Sequence, residues 1–217
     1  MFKIKNMKFI KYIVLLALLL GNDFSNAQDF EGVIDFKKWN AKDTLRYRYY
    51  VQDVNVRIEE LDKSGKIAGV MIILPKINSV RALSPERKLY MEVPHNSAPK
   101  ITGKPEVIKT KITKEIAGVK CTQVRVKSVE EDTEISYWVA TGGYPFFLPM
   151  INTINRKDKL SYYFLSLTDN ADMFPFEADE RSTKRDFRNM IKVERIERKK
   201  LDIKLFTIPA DYKKYDK

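Results

Sequence analysis

The sequence predicts a mainly β protein with added short helices, built from consecutive antiparallel hairpins in one large sheet. Runs of alternating apolar and polar residues, rich in aromatic and β-branched side chains, recur from residue 30 to residue 140. This alternation is typical of half-buried strands. Short turn sequences such as Asp62–Gly65 separate the runs. After residue 143 the pattern changes to an apolar, proline-bearing stretch with helical spacing.

The first four predicted strands form a meander. In the second of them Tyr47 and Tyr49 share one face, while Arg46 and Arg48 share the other, because successive side chains of a strand point to opposite faces. Gly65 is free to take the positive φ that its turn favours. These strands are predicted over Phe30–Trp39, Thr44–Gln52, Val54–Leu61 and Ile67–Leu74.

Five further strands are predicted before residue 141. Pro85 suits the second position of the turn Ser84–Arg87, and a polar, proline-rich loop over Pro94–Pro105 contains the single histidine, His95. The predicted strands are Ser79–Leu83, Lys88–Val93, Val107–Ile116, Val119–Val129 and Glu134–Ala140.

The helical part of the chain follows the glycine pair at residues 142–143. Pro149 suits the opening of a short helix that carries Ile154. A second helix is predicted over Lys159–Leu167, because Leu160 and Phe164 recur there at helical spacing.

The tail returns to extended structure, and no linker divides the chain. Strands are predicted over Met173–Glu180 and Asn189–Arg198, and Leu201–Tyr212 is predicted to form a terminal turn and clasp. Residues 28–217 therefore form a single predicted domain, a length that can bury a substantial core.

The N-terminus has the three parts of a cleavable secretory signal. Four lysines and no acid lie within residues 1–11, followed by the apolar run Tyr12–Leu20 and the small residues Ser25 and Ala27. A membrane-spanning helix needs about 20 apolar residues, so this short run favours a signal over an anchor. Cleavage is predicted between Ala27 and Gln28. No cysteine follows the run to accept a lipid, so the mature chain is expected to be unlipidated and without a transmembrane segment.

The charge balance is basic. The predicted signal carries four lysines and one aspartate, so its removal lowers the formal net charge from +11 to +8. The basic runs Lys184–Arg188 and Arg195–Lys200 are read as a solvated face, or as a contact surface for anionic headgroups or a partner protein. No glycine-rich phosphate loop or aromatic-basic motif indicates nucleic acid.

No catalytic residue, cofactor site or metal site is predicted, and the protein is expected not to be an enzyme. Cys121 is either a buried small hydrophobe or a partly exposed thiol. A nucleophile needs a partner base, and His95 in its loop is not placed to serve. Glu59 and Glu60 point to opposite faces, and the acids at 130–132 lie in a turn, so neither group indicates acid–base catalysis.

Several segments of the sequence are similar to those of one known family. They are Phe30–Phe36, Tyr49–Val51, Val56–Ile58, Glu115–Thr122, Tyr137–Ala140 and Leu205–Tyr212. The chain resembles, over most of residues 29–213, an exported domain-of-unknown-function family grouped with the LolA/LolB lipoprotein-carrier superfamily. The resemblance implies a strongly curved, incomplete antiparallel barrel, a LolA-like half-barrel with helices over its open apolar face. Carriers usually place a helix before the first strand, whereas this mature chain starts directly in a strand.

In carriers the concave surface receives lipid acyl chains, and the resemblance implies a matching surface here. The candidate residues that line or cover it are Phe146, Phe147, Leu148, Met150, Ile151, Leu160 and Phe164. The alternative is that they pack as an ordinary plug that fills the barrel. Candidates for the concave face itself are Trp39, Met71, Ile73, Tyr90 and Trp138. No individual functional residue of the carriers can be matched.

Three functions follow from this reading. The first is a non-enzymatic periplasmic protein, or one secreted or peripheral at the outer membrane, that binds an apolar ligand such as a lipid or a lipoprotein acyl chain. The second is a cell-envelope scaffold or protein-interaction domain without a ligand cavity. The third, a hydrolase, lacks an identifiable nucleophile and base.

Overall fold

The structure, a computed structural model, describes residues 28–94, 100–154 and 157–215. The predicted signal, with its cleavage residue Ala27, and His95 lie outside these ranges; Gln28 is exposed. Twelve strands are formed: β1 Gly32–Asn40, β2 Thr44–Gln52, β3 Asn55–Leu61, β4 Ile67–Leu74, β5 Ser79–Ser84, β6 Leu89–Glu92, β7 Glu106–Ile116, β8 Val119–Ser128, β9 Thr133–Thr141, β10 Met173–Arg181, β11 Phe187–Arg198 and β12 Lys213–Lys214.

All twelve strands belong to one open, curved sheet, which confirms the predicted mainly β class and its single antiparallel sheet. The order is β12-β6-β5-β4-β3-β2-β1-β11-β10-β9-β8-β7. Two meanders, β1–β6 and β7–β11, therefore meet where β1 pairs with β11. Only the short β12 runs parallel to its neighbour, β6. The link from β6 to β7 joins the two ends of the sheet.

Local backbone geometry fixes the hairpins and the central pairing. Ala117 and Gly118 have φ of 50° and 77°, as a two-residue turn matched to strand twist requires. Gly32 has φ of 152°, and a Cβ atom there would collide with the carbonyl oxygen of Glu197 on β11. A glycine is therefore required where β1 begins to pair with β11.

Within the described residues there are also two α-helices and three 3₁₀ turns. They are α1 Phe147–Ile154, α2 Lys159–Tyr162, and the 3₁₀ turns Pro75–Ile77, Phe164–Ser166 and Ile203–Phe206. The predicted helix over Lys159–Leu167 is wrong in its length. The hydroxyl of Tyr137 donates to the carbonyl of Leu160 (2.9 Å), and the amides of Ser166 and Leu167 bond to carbonyls three residues earlier. The segment therefore tightens into a 3₁₀ turn after α2.

The face of the sheet that α1 covers, called the inner face, holds the main core. Its buried residues include Phe36, Ile58 and Ile73, together with an aromatic group around Phe174 and Phe176. The ring centroid of Phe147 on α1 lies 5.1 Å from that of Phe174. Burial of these large rings supplies much of the driving force for folding.

The opposite, outer face of β3–β6 carries a second, smaller core. Val70, Ile72 and Leu83 pack there against Phe206. Phe206 belongs to the segment Leu201–Tyr212, called the clasp, which folds back over the sheet. The predicted terminal turn thus contains a 3₁₀ turn whose aromatic side chain closes an apolar patch.

Three residues that were predicted as candidates for the concave face do not lie on the inner face. Tyr90 packs in the outer core with Phe206. Trp138 shares the outer face with Glu177 and lies 4.1 Å below the ammonium of Lys114. Trp39 alternates with the inward-facing Phe36 and Lys38 along β1. Two-residue periodicity groups side chains by face but does not say which face is covered.

Candidate ligand-binding cleft

Helix α1 presents one apolar side to the inner face. Phe147, Met150 and Ile151 are buried, and their spacing places them on a single side of the helix. Pro149 occupies the first turn, where its missing N–H would have had no partner within the helix. Its carbonyl accepts from the hydroxyl of Thr153 (2.8 Å).

A cleft of about 70 Å³ remains between this helix and the sheet. We call it the inner cleft. Strands β1, β2, β3 and β11 form its floor, α1 its roof and α2 one side. It is lined by Phe36, Lys38, Tyr47, Tyr49, Ile58, Phe147, Met150, Ile151, Ile154, Asp158, Leu160, Ser161, Pro175 and Ile191.

A smaller space of about 20 Å³ adjoins the inner cleft. Both are lined by Phe36, Tyr49, Phe147, Pro175 and Ile191. The smaller space is lined further by Phe174, Phe176, Lys192 and Val193. Because five residues line both, the two spaces lie side by side beneath α1, and we call them together the channel.

Of the candidate lining residues, four lie in the inner cleft: Phe147, Met150, Ile151 and Leu160. The other three lie outside its lining. Phe146 packs against Phe30 and Phe174, Phe164 packs edge-on against Tyr137, and Leu148 is half-buried against the main core.

The sequence did not predict which residues form the floor of the cleft. Tyr47, Tyr49 and Ile58 come from strands recognised correctly by alternation, but nothing local indicated that this side faces α1. Ile191 was missed for the same reason. The polar residues Lys38, Asp158 and Ser161 gave no signal either, because their roles depend on the approach of β1 to α2 in three dimensions.

The acidic residue of the cleft has a structural task. Asp158 caps α2, and its carboxylate accepts from the amide of Ser161 (3.2 Å) and from its hydroxyl (3.0 and 3.1 Å). Side-chain acceptors of this kind satisfy donors at a helix start. Asp158 thereby fixes the wall formed by α2.

A polar cluster next to the cleft anchors α2 to the β8–β9 hairpin. Glu131 accepts from the amide of Thr102 (2.7 Å) and the hydroxyl of Tyr162 (2.9 Å), and the ammonium of Lys159 lies 3.5 Å away. Burial acts to raise the pKa of Glu131, but these hydrogen bonds and the charge of Lys159 outweigh it and hold the pKa at about 2.

The cysteine lies apart from the cleft. Cys121 is fully buried, and burial raises the pKa of its thiol to about 11. It is therefore protonated at neutral pH and has little nucleophilic character. Among the described residues no group of three or more His, Cys, Asp or Glu side chains is arranged to hold a metal ion.

The two basic runs are largely paired with acids of the same chain. Arg195 contacts Asp35 (3.1 Å) and Glu197 (3.1 Å), and Arg188 contacts Asp132 (2.6 Å). Such pairs on the outer surface are typical of a solvated face.

The chain belongs to the family described as a domain of unknown function, DUF4412, which matches residues 30–212. This confirms the expected membership in a domain-of-unknown-function family. No curated protein matches the chain significantly. Of the helices within the described residues, none has the length and apolar character needed to cross a membrane.

One solved structure is similar in fold, and two others align more weakly. An uncharacterized conserved protein from Thermus thermophilus aligns with a TM-score of 0.54 and 12% identity, over 92% of this chain and 98% of that one. A structure of PNGF-II aligns with a TM-score of 0.44 and 12% identity, over 85% of this chain and 30% of that one. A DUF1329 family protein from Desulfovibrio piger gives 0.36 and 9%, over 91% and 96%. The first of these proteins shares the fold of this chain, and at 12% identity the similarity shows the fold alone.

Proposed function

We propose that the protein is an exported, non-enzymatic protein of the cell envelope that binds an apolar chain, such as a lipid or lipoprotein acyl chain, in the inner cleft. The observation that carries this proposal is the apolar channel beneath α1. Concave sites lined mostly by apolar and aromatic side chains with few polar groups are typical of ligand binding. The resemblance to LolA- and LolB-type carriers supports the same function.

Binding a long chain requires α1 to move outward. The inner cleft holds about 70 Å³, whereas sites for drug-sized ligands measure roughly 300 Å³ or more. The buried side of α1 packs on the floor of the cleft through the apolar side chains of Phe147, Met150 and Ile151. An acyl chain can replace those side-chain contacts with its own.

The predicted signal supports placement outside the cytoplasm. Cleavage after Ala27 would release an unlipidated chain into the periplasm, where it would act there, be secreted or associate peripherally with the outer membrane. Mass determination of the protein recovered from a periplasmic fraction tests this placement, and an unprocessed N-terminus in the cytoplasm would overturn it.

A chain-length series tests the binding function. The protein purified after expression of the full chain is titrated with octan-1-ol, decan-1-ol and dodecan-1-ol, and binding is measured by calorimetry. Affinity is expected to rise about fourfold per added methylene, since each buried methylene contributes ~0.8 kcal/mol. Absence of saturable binding by all three alcohols would overturn the proposal.

A variant that fills the cleft locates the site. Ile191→Trp adds bulk to the floor and is expected to weaken dodecan-1-ol binding at least about tenfold. The matched control is Ile112→Trp on β7, where Ile112 is exposed, and it is expected to leave binding unchanged. If Ile191→Trp unfolds, Ile58→Phe enlarges the same floor by less. Equal binding by a folded cleft variant and the control would place the site elsewhere.

The small volume of the cleft favours one second candidate, an envelope scaffold that binds a protein partner. Lys200 is exposed and belongs to a basic run, so it would contribute to such a contact surface. Cross-linking in intact envelopes is then expected to capture one partner that Lys200→Glu abolishes and Lys63→Glu, a control that is also exposed, retains. An identical cross-linking pattern in both variants would exclude this surface.

A further inference from the structure

One lysine faces the inner cleft from the middle of the sheet. Lys38 lies on β1, directly between Leu45 of β2 and Ile191 of β11 in the register. It shares the inner face with Phe36 and lines the cleft. Lysine is rarely placed on an apolar inner face without a charged partner, because removing its ammonium from water is costly.

No such partner is found within the part of the chain that the structure describes. The remaining lysines of β1 and β11 differ in this respect: Lys37 pairs with Glu194, and Lys192 with Glu177. Asp158 contributes a carboxylate to the cleft lining; it caps α2 through Ser161 and makes no ion pair with Lys38. Lys38 is thus a lysine of the cleft lining without an ion-pair partner among the described residues.

The opposite end of the channel is apolar. The adjoining small space is closed by Phe174, Phe176 and Val193, all buried. Its one charged residue, Lys192, directs its ammonium to Glu177 (3.5 Å). Among the described residues, the channel therefore has one lysine without an ion pair, Lys38, on the side of the inner cleft and aromatic rings on the side of the small space. This arrangement matches a molecule with one anionic head and one apolar tail.

From this arrangement we infer that the ligand is an anionic amphiphile, whose head group binds Lys38 and whose chain passes beneath α1 towards Phe174 and Phe176. The inference rests on the proposed binding function and specifies its ligand class. A carboxylate or a phosphate head supplies the same chemistry, a negatively charged oxygen that accepts from the ammonium. Tyr47 lines the inner cleft, and Tyr49 lines both spaces.

Head-group selectivity at constant chain length tests the inference. The protein purified after expression of the full chain is titrated at pH 7.5, below micelle formation, with dodecanoate, dodecyl phosphate, dodecan-1-ol and dodecylammonium. At least one anion is expected to bind about tenfold more tightly than the alcohol, as a charge-assisted hydrogen bond contributes. The tighter of the two anions identifies the head group. Equal affinity for all heads, or preference for the ammonium, would overturn the inference.

Variants assign the selectivity to Lys38. Lys38→Gln is expected to weaken anion binding about tenfold while changing dodecan-1-ol binding by less than about twofold. Lys38→Arg should retain the preference for anions. The control is Lys42→Gln, which removes the same charge four residues along the chain at an exposed site. An equal loss in Lys42→Gln and Lys38→Gln would show a general charge effect and overturn the assignment.

The two proposals fail in different ways. If no dodecyl compound binds, the binding function itself is overturned. If all four bind with similar affinity and Ile191→Trp abolishes binding, the cleft binds apolar chains but Lys38 does not select the head group. Thermal unfolding of each variant, followed by circular dichroism, confirms that the compared proteins are folded.

Discussion

Two apolar patches of the same sheet are covered in different ways. On the outer face, the clasp is tied by polar bonds: Gln52 donates to the carbonyl of Leu201 (3.0 Å), and Arg57 donates to that of Leu205 (3.2 Å). On the inner face, α1 packs through apolar side chains and leaves a cleft. A cover fixed by directional bonds has one position, whereas apolar contacts can be replaced by those of another apolar surface.

The clasp should contribute more to stability than to binding. Phe206→Ala removes a buried ring from the outer core and is expected to lower the free energy of unfolding by about 3–5 kcal/mol, measured by urea denaturation. Affinity for dodecan-1-ol should not change, because the inner cleft lies on the other face. A loss of affinity in the folded variant would show that the two covers are coupled.

Local opening should distinguish α1 from the sheet that it covers in the unmodified protein. Amides of α1 from Met150 to Ile154 are expected to exchange with deuterium about thirtyfold faster than those of β3, a difference of ~2 kcal/mol in opening free energy. Exchange mass spectrometry of the two segments gives the comparison. Equal protection would mean that α1 opens only when the whole domain unfolds, which favours the scaffold function.

Acid should weaken the contacts of Glu131 that hold α2 to the β8–β9 hairpin. Glu131 has its pKa lowered from 4.5 to about 2, so its stabilising contribution is complete above about pH 4.5 and is lost as the pH falls towards 2. Glu131→Gln is expected to cost ~1–2 kcal/mol at pH 7 and to flatten the pH dependence of stability between those values. Urea denaturation at pH 7, 4.5 and 3 tests this. An unchanged slope in the variant would show that another carboxylate dominates acid unfolding.

Local sequence signals predicted most of the fold. Alternation located the strands because a half-buried strand must place apolar residues at every second position, and turns such as Ala117–Gly118 carry their own backbone preferences. The prediction of one continuous helix over Lys159–Leu167 failed because the hydroxyl of Tyr137, which is distant in sequence, bonds to the backbone of this segment. Such long-range bonds leave no local pattern.

The candidate site was predicted only in part, again because long-range contacts leave no local pattern. Phe147, Met150 and Ile151 are recognisable as one apolar side of a helix, which has to be buried against something. Ile191 and Lys38 are not recognisable, because a strand pattern defines two faces without identifying which one a helix will cover.

The sequence by itself determined the strands, the turns and the apolar side of α1, and it predicts an export signal. These follow from nearest-neighbour geometry and from periodicity. Only the tertiary structure decided that β1 pairs with β11, that α1 leaves a cleft unfilled, and that Lys38 faces it. Those features arise from contacts between residues far apart in the chain, since the side chains that meet there are selected by packing of the whole sheet.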